Sequence, residues 1–447
     1  MKQPARRKRR AKGGDDGGTV PPDKNDFFKK RTLKMHTIVA TDEAEEDVTI
    51  MPSFAGWTFA CLGTYVRTHE YMEDATTLFT VTLPYMVSTA LALPLLFPSH
   101  VPLLTRQVPS SVTLTKRQAA CLIIHAFLCT FTAANPSFNH FHFFDVFAPS
   151  APPPWSNAAA TDQDEDATAV QKLLTVLHYF SRFTTDNLCD NTNHQYDQQV
   201  ITYARHVLDT TTPWTEGGMA GDGGGWADTL PWSPVQVHAN GAIEDDVGAV
   251  QVDFANKFAG GGVLGHGCVQ EEIRFLMNPE CLVACLLTEV LGTRSIPSRE
   301  LDKAMVGFQR LPDESPTQRG RRPVATGNWG CGVFKGDVEL KFVVQWLAAS
   351  AQHRPLHYYT FGNSDLATRL AQFIQTVTTS TLSVAQLRAR LLDNNAPNCT
   401  LSLAEYTRQH RRHRPSVCAY ITSTLLPHTG HSPSTVSQAA ADVQSTD

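Results

Sequence analysis

Cysteine is scarce, with ten residues in 447. None forms a CxxC pair or stands at zinc spacing with histidine, which excludes a disulfide scaffold and a structural zinc module and leaves reduced thiols as the reading. Cys281 and Cys285, four apart on an expected helix, suit apolar packing. Positive charge is not in excess either: 38 Lys and Arg stand against 43 Asp and Glu, a formal charge of −5. The global field of a nucleic-acid binder is therefore missing, and any anionic ligand has to be caught locally. No apolar stretch follows the basic cluster Arg6, Arg7, Lys8, Arg9, Arg10 and Lys12, so the start does not read as a secretory signal. That cluster reads as a nuclear-import address or as a tail that touches polyanions, with import preferred. Residues 76–98 carry no charge and have the length of a bilayer span. Pro84, Pro94 and Pro98 interrupt them, hydroxyl residues dilute them and no Lys or Arg brackets them, so a buried helix is expected instead.

What is present is enough apolar residue, 42%, for a sizeable core in two folded regions. Residues 1–50 read as a disordered basic arm, with order beginning near Phe54. Residues 51–190 read as a helical accessory domain, with apolar three- and four-residue steps over 118–131 and 170–183. Within it, residues 148–168 combine prolines with Asp162, Asp164, Glu165 and Asp166 and are expected to be a loop insertion. His140 and His142 alternate with phenylalanines, and packing is preferred over metal binding because no third ligand is near. Glycines crowd 217–225 as a surface insertion. Beyond it, residues 235–238, 250–254 and 356–361 read as strands, and 279–291 and 340–351 as helices. Strands alternating with helices argue for an α/β layer over residues 191–395. Residues 396–447 form an extension expected to lose order after about Pro415.

Two glycine-rich turns lie in the α/β region. Gly260, Gly261 and Gly262 stand between a strand and a helix, and residues 326–332 form a second turn that leads to a helix. Backbone amides in such turns can approach a diphosphate without lysines. By itself a glycine triplet is more often a turn. Glu271 and Glu272 are neighbours whose side chains leave a helix start roughly 100° apart, so at most one serves as proton donor. Their spacing alone suits the electrostatics of a helix N-terminus better than catalysis.

The run QVDFANKFAGGGVLGHGCVQEE over residues 251–272 closely resembles the signature of the poly(ADP-ribose) glycohydrolases. The likeness continues through 273–291, VATGNWGCGVFKGD over 324–337 and YTFG over 359–362. Upstream, 83–104 and 111–131 resemble the family's helical region. The resemblance implies an α/β, macrodomain-like three-layer fold with an N-terminal all-α accessory domain. It implies hydrolysis of ribose–ribose glycosidic bonds, releasing ADP-ribose with water and no metal or organic cofactor. Glu272 would be the acid/base residue and Glu271 would hold hydroxyls of the scissile ribose. Asn256 would position that sugar with help from Gln270. Gly261, Gly262, Gly332, Val333 and Phe334 would surround the diphosphate, and Asn328 would be a further substrate-binding residue. Ile243 and Glu244 would meet the adenine edge, and Phe361 would pack against the adenosine.

The partner so implied is poly(ADP-ribose), including polymer attached to proteins, with no membrane and no sequence-specific nucleic acid. A monomer in the nucleus, with the cytoplasm as a second compartment, and a part in the DNA damage response and carbohydrate metabolism complete the expectation. The alternative is a catalytically impaired reader that binds ADP-ribose or its polymer. Two departures from the family stand out. Asn363 occupies a position where an acidic residue is frequent. Between Leu291 and Ser298 only residues 292–297 remain, where the family carries several tens of residues with sheet strands and a loop tyrosine. Such a shortened sheet is expected to expose core surface or lose order.

Overall fold

Short segments rich in valine and tyrosine form a four-stranded sheet in the computed structural model. The model describes residues 76–106, 108–131, 137–143, 146, 162–189, 199–207, 230–291, 297–311, 314, 321–392 and 416–425. The basic arm, the expected onset of order near Phe54, the glycine-rich insertion at 217–225 and residues 396–415 fall outside them. Strands β3 (Val235–His238), β4 (Val250–Gln251), β5 (Val324–Gly327) and β6 (Leu356–Tyr359) are all parallel, in the spatial order β3-β6-β5-β4. The expected strand 250–254 is thus shorter, its extended continuation held by the Val252 amide donating to Ala325 O at 2.9 Å.

Five helices close one face of this sheet: α7 (Pro297–Gly307), α8 (Val338–Ala351), α9 (Ser364–Thr379), α10 (Val384–Leu392) and α11 (Val417–Leu425). All contribute to one core with Val324, Leu356 and Tyr358. Helix α8 is buried along its whole length and starts where Asp337 Oδ1 accepts from the Leu340 amide at 2.9 Å, an N-cap. Its Trp346 packs on Trp232, ring centroids 4.3 Å apart. The shortened connection therefore does not leave the core face of the sheet open. Nor does order end at Pro415: Val417, Cys418 and Ile421 are buried at helical spacing, and Glu339 Oε2 accepts from Ser416 Oγ and the Cys418 amide. Asn363 caps α9, its Oδ1 accepting from the Leu366 amide at 2.9 Å. An amide oxygen fills that role as well as a carboxylate does.

The second unit holds a π-helical turn (Leu78–Thr82), α1 (Leu83–Leu91), α2 (Leu93–Leu96), α3 (Lys116–Phe127) and α4 (Asp162–Cys189). Residues 76–96 bury one face through Leu78, Met86 and Thr89, while Phe79, Leu91 and Leu95 are exposed, so the expected buried helix is half-buried. Among the described residues no helix is long and apolar enough to cross a membrane. The expectation of helix throughout this unit needs one correction. Ser110–Thr115 is strand β1, paired antiparallel with β2 (Val200–Arg205), and helix begins only at Lys116. There a capping box forms, Thr115 Oγ1 accepting from the Gln118 amide and Gln118 Oε1 from the Thr115 amide. A second correction concerns the expected loop 148–168. Its end, from Asp162, is already the start of α4. Residues 147–161 lie outside the description.

The segment between the two glycine turns belongs to both units. Helix α5 (Gln270–Met277), a 3-10 turn (Pro279–Leu282) and α6 (Val283–Leu287) replace the single helix expected over 279–291. Val263, Leu264, Phe275, Leu282, Val283, Cys285 and Leu287 are buried in the core of the helical unit with Ile123, Phe127 and Phe180. After Leu287 the chain is extended. Thr288 bridges Leu104, and the Val290 and Leu291 amides donate to Ser137 O and Lys257 O, both at 2.6 Å. Arg205 Nη1 donates to the carbonyls of Leu104 and Glu289. The residues just before the shortened connection are thereby tied to the helical unit. Cys281 and Cys285 are packing residues, half-buried and buried, as their spacing suggests.

Candidate active site

In an open parallel sheet, ligands bind beyond the carboxyl ends of the strands. Here the exit of β4 leads through Asn256 and Gly260–Gly262 to Glu271 and Glu272. The exit of β5 leads to Asn328 and residues 332–334, and that of β6 to Phe361. Because these strands are adjacent, the outer two exits stand about 10 Å apart, at two strand spacings. The structure brings these candidates to one edge of the sheet.

The carboxylate pair sits in the first turn of α5 and is buried. Glu271 Oε2 accepts from the Asn256 amide at 2.6 Å and its Oε1 from the Gly260 amide at 2.8 Å. Glu272 Oε1 accepts from the Gly262 amide at 2.8 Å and its Oε2 from the Val269 amide at 3.0 Å. Although the two Cα–Cβ bonds diverge, the loop wraps the helix end so that both carboxylates converge on Gly261. A Cβ on Gly261 would overlap Glu272 Oε1 and lie 2.9 Å from Glu271 Oε2, and the residue has φ +53°. Gly260, at φ +83°, has no room either, since a Cβ there would sit 2.6 Å from the Cys285 sulfur. The triplet is therefore required by close packing of acid groups against backbone.

Burial pushes the Glu271 carboxyl up to about 8, and the charge of Asp253 adds to it, against the two amide hydrogen bonds and with a small addition from Glu272. Asp253 itself is pushed up to about 7 by burial, with Arg274 opposing and Glu272 reinforcing. Its buried Oδ1 has no hydrogen-bond partner among the described residues. Asp253 lies inside the quoted signature, yet no site role was expected of it. Its signal was an acid three residues before Asn256, at the end of a strand.

Gln270 faces the β4 exit: its Oε1 accepts from the Phe254 amide at 2.8 Å and its Nε2 donates to Val252 O. Asn256 Oδ1 accepts from the Phe258 amide at 3.4 Å. Asn328 is engaged behind the site, accepting from the Tyr358 hydroxyl and donating to Thr360 O. Gly332, Val333 and Phe334 form the tip of the second turn, with both side chains exposed, at 72% and 71%. Among the described residues their amides meet no protein acceptor, while those of Cys331 and Lys335 close the turn on Asn328 O and Gly332 O. Phe361 is 89% exposed, with φ +57°. Ile243 is buried in a 3-10 turn (Ile243–Asp245) on the crossover from β3 to β4, and Glu244 faces Arg274 across 4.0 Å. The turn that carries this pair packs on β5, is tied to β6 through Asp246, whose Oδ2 meets His357 Nδ1 at 2.6 Å and accepts from the Tyr359 hydroxyl at 3.4 Å, and faces α5 through Arg274.

Two further side chains reach the glycine loop from the helical unit and escaped notice in the sequence. Asn139 Nδ2 donates to Ala259 O and Gly261 O at 2.7 and 2.8 Å. Lys172 Nζ donates to Val263 O at 3.0 Å, to Gly262 O at 3.3 Å and to Gly265 O. Their partners lie about 90 to 120 positions away, so no local pattern marks them. The His140 and His142 rings lie 5.5 Å apart, tilted by 60°, and among the described residues no group of three His, Cys, Asp or Glu could hold a metal ion.

The architecture is thus a helical unit packed on a parallel α/β sheet, with a buried carboxylate pair laced to a glycine triplet at the strand exits. Comparison with known proteins agrees. Residues 71–205 match the helical domain of the poly(ADP-ribose) glycohydrolases, and residues 226–296 and 293–368 match their macro-domain fold. The chain belongs to the poly(ADP-ribose) glycohydrolase family. It is 30% identical over 227 residues to poly(ADP-ribose) glycohydrolase 1 of Caenorhabditis elegans, covering 35% of this chain and 29% of that protein. It is 29% identical over 224 residues to glycohydrolase 2 of the same organism, 34% of this chain and 45% of that one. Against poly(ADP-ribose) glycohydrolase 1 of Arabidopsis thaliana it is 26% identical over 387 residues, 58% of this chain and 65% of that protein. The matches thus span less than two thirds of these relatives.

Proposed function

We propose that this protein is a glycosidase that hydrolyses the ribose–ribose bonds of poly(ADP-ribose), free or attached to proteins, and releases ADP-ribose. The observation that carries the reading is the pair Glu271 and Glu272, held by four backbone amides beside a glycine triplet that admits no side chain. In this reading Glu272 protonates the departing ribose oxygen as an oxocarbenium-like sugar develops, then takes a proton from the attacking water. Glu271 binds hydroxyls of the scissile ribose, with Asn256 and Gln270 fixing the wall on which that sugar rests. The tip amides of residues 332–334 and the loop at Gly261 and Gly262 receive the diphosphate, and the exposed Phe361 ring meets the adenosine. Water is the only co-reactant required. The reading extends to a monomer that acts in the nucleus, addressed by the cluster Arg6–Lys12, with the cytoplasm as a second site, and to removal of polymer in the DNA damage response.

Glu272→Gln tests the chemistry. An amide neither donates nor recovers the proton, so release of ADP-ribose from purified polymer should fall by about 10²–10⁴-fold while ADP-ribose affinity and melting temperature are retained. Undiminished release would remove Glu272 from the mechanism. Binding without release by the unsubstituted protein would instead favour a reader of ADP-ribose polymer.

A further inference from the structure

We infer that Lys172, on α4 of the helical unit, is a positioning residue for Glu272, acting through the backbone of the glycine loop. The inference rests on the glycosidase reading for its activity readout and on geometry alone for the rest. The loop has two sides. Its carbonyls at 259, 261, 262, 263 and 265 turn to the helical unit, where Asn139 and Lys172 donate to them. Its amides at Gly260 and Gly262 turn the other way, to Glu271 and Glu272. Gly262 is the joint, its amide on Glu272 Oε1 and its carbonyl on Lys172 Nζ.

An ammonium group only 2% exposed is expensive to bury unless its protons are all used, and three carbonyls use all three. Among the described residues Lys172 has no carboxylate within ion-pairing distance, and its hydrogen bonds go to backbone carbonyls. Burial lowers it to about 8, with the charges of Cys268 and Glu272 opposing, which leaves it largely cationic at neutral pH. A residue serving only to join the two units would need no such aim at the single loop that carries the Glu272 hydrogen bond. The nearby apolar contacts of Val263 and Leu264 already join them.

The test uses the full chain with Lys172→Met, which keeps the stem but not the donors, and Lys172→Arg, which restores donors. For the methionine variant, kcat on polymer should fall by about 10–100-fold with KM little changed. Amide hydrogen exchange should accelerate over residues 259–267 and remain unchanged over α8. Arginine should recover most of both. Unchanged loop exchange, or exchange that accelerates equally throughout the protein, would overturn the inference and leave Lys172 a general stabiliser. If the unsubstituted protein releases no ADP-ribose, the glycosidase reading fails by itself, and loop exchange together with ADP-ribose affinity in the two variants still decides the role of Lys172.

Discussion

Asp253 shows how a single buried carboxyl couples the site to pH. Its ordinary value lies near 4 and its value in the folded protein at about 7, so folding favours its protonated form. The stability it contributes is complete below pH 4 and is lost as pH rises through 7. Glu271, raised to about 8, behaves in the same sense over a wider range. Asp253→Asn removes one of these ionisations, and its side chain can be neutral at every pH. The variant should therefore gain on the unsubstituted protein between pH 5 and pH 8, read as the difference in urea midpoint at the two values. A constant difference would mean that Asp253 is ionised throughout. This acid was plain in the signature, but its burial beside Glu271 was not, because desolvation depends on chain segments that approach from both units.

At the scale of elements, the connection between α7 and β5 is held by Glu314, which is paired with the buried Arg354 and with Arg322. Arg354 is fully buried and donates to both oxygens of Glu314, to Phe308 O, Gln309 O and Arg322 O. Burial alone would raise Glu314, but hydrogen bonds from Arg354 and from the Leu311 and Arg322 amides outweigh it and hold the carboxyl near 2. Its stabilisation is present above about pH 4.5 and is lost as pH falls through 2. Arg354→Met leaves the buried Glu314 carboxylate with only the half-exposed Arg322, whose Nε lies 3.4 Å from Oε1, and should cost about 3–5 kcal/mol in denaturant unfolding at pH 7. A loss under about 1 kcal/mol would show that Arg322 and the Leu311 and Arg322 amides carry Glu314 without Arg354. Elements with strong local periodicity, such as β3, β6 and α8, were legible in the sequence. Strand β1 was not: Val112 and Leu114 alternate with hydroxyl residues as a half-buried strand should, but their partner β2 lies about 90 positions on. The helix expected over 279–291 ends at Leu287 because Thr288 finds a backbone partner in Leu104, a choice made by tertiary contact.

Across the whole molecule, the boundary expected near residue 191 falls short of β2 (Val200–Arg205), which pairs with β1 in the helical unit, and the cores do not follow the chain order either. The segment from Val263 to Leu287 follows β4 in the chain yet is buried with α3 and α4. A fragment starting at residue 226 would expose those side chains and remove the donors Lys172 and Asn139 from the glycine loop. It should be poorly soluble or bind a hydrophobic dye, whereas co-expression with residues 71–205 should yield a complex that co-elutes in size exclusion. A monodisperse, dye-free fragment would show that the α/β unit closes its own core. The sequence by itself determined the family, the strands and helices of strong period, the glycine turns and the identity of the glutamate pair, since each is written in local spacing or in an unbroken signature. The tertiary structure decided that both carboxylates converge on Gly261, that Asp253 is desolvated, and that the helical unit grips the loop through Asn139 and Lys172. Those facts depend on which distant segments share a core, and burial and hydrogen-bond partners arise only when the chain has closed on itself.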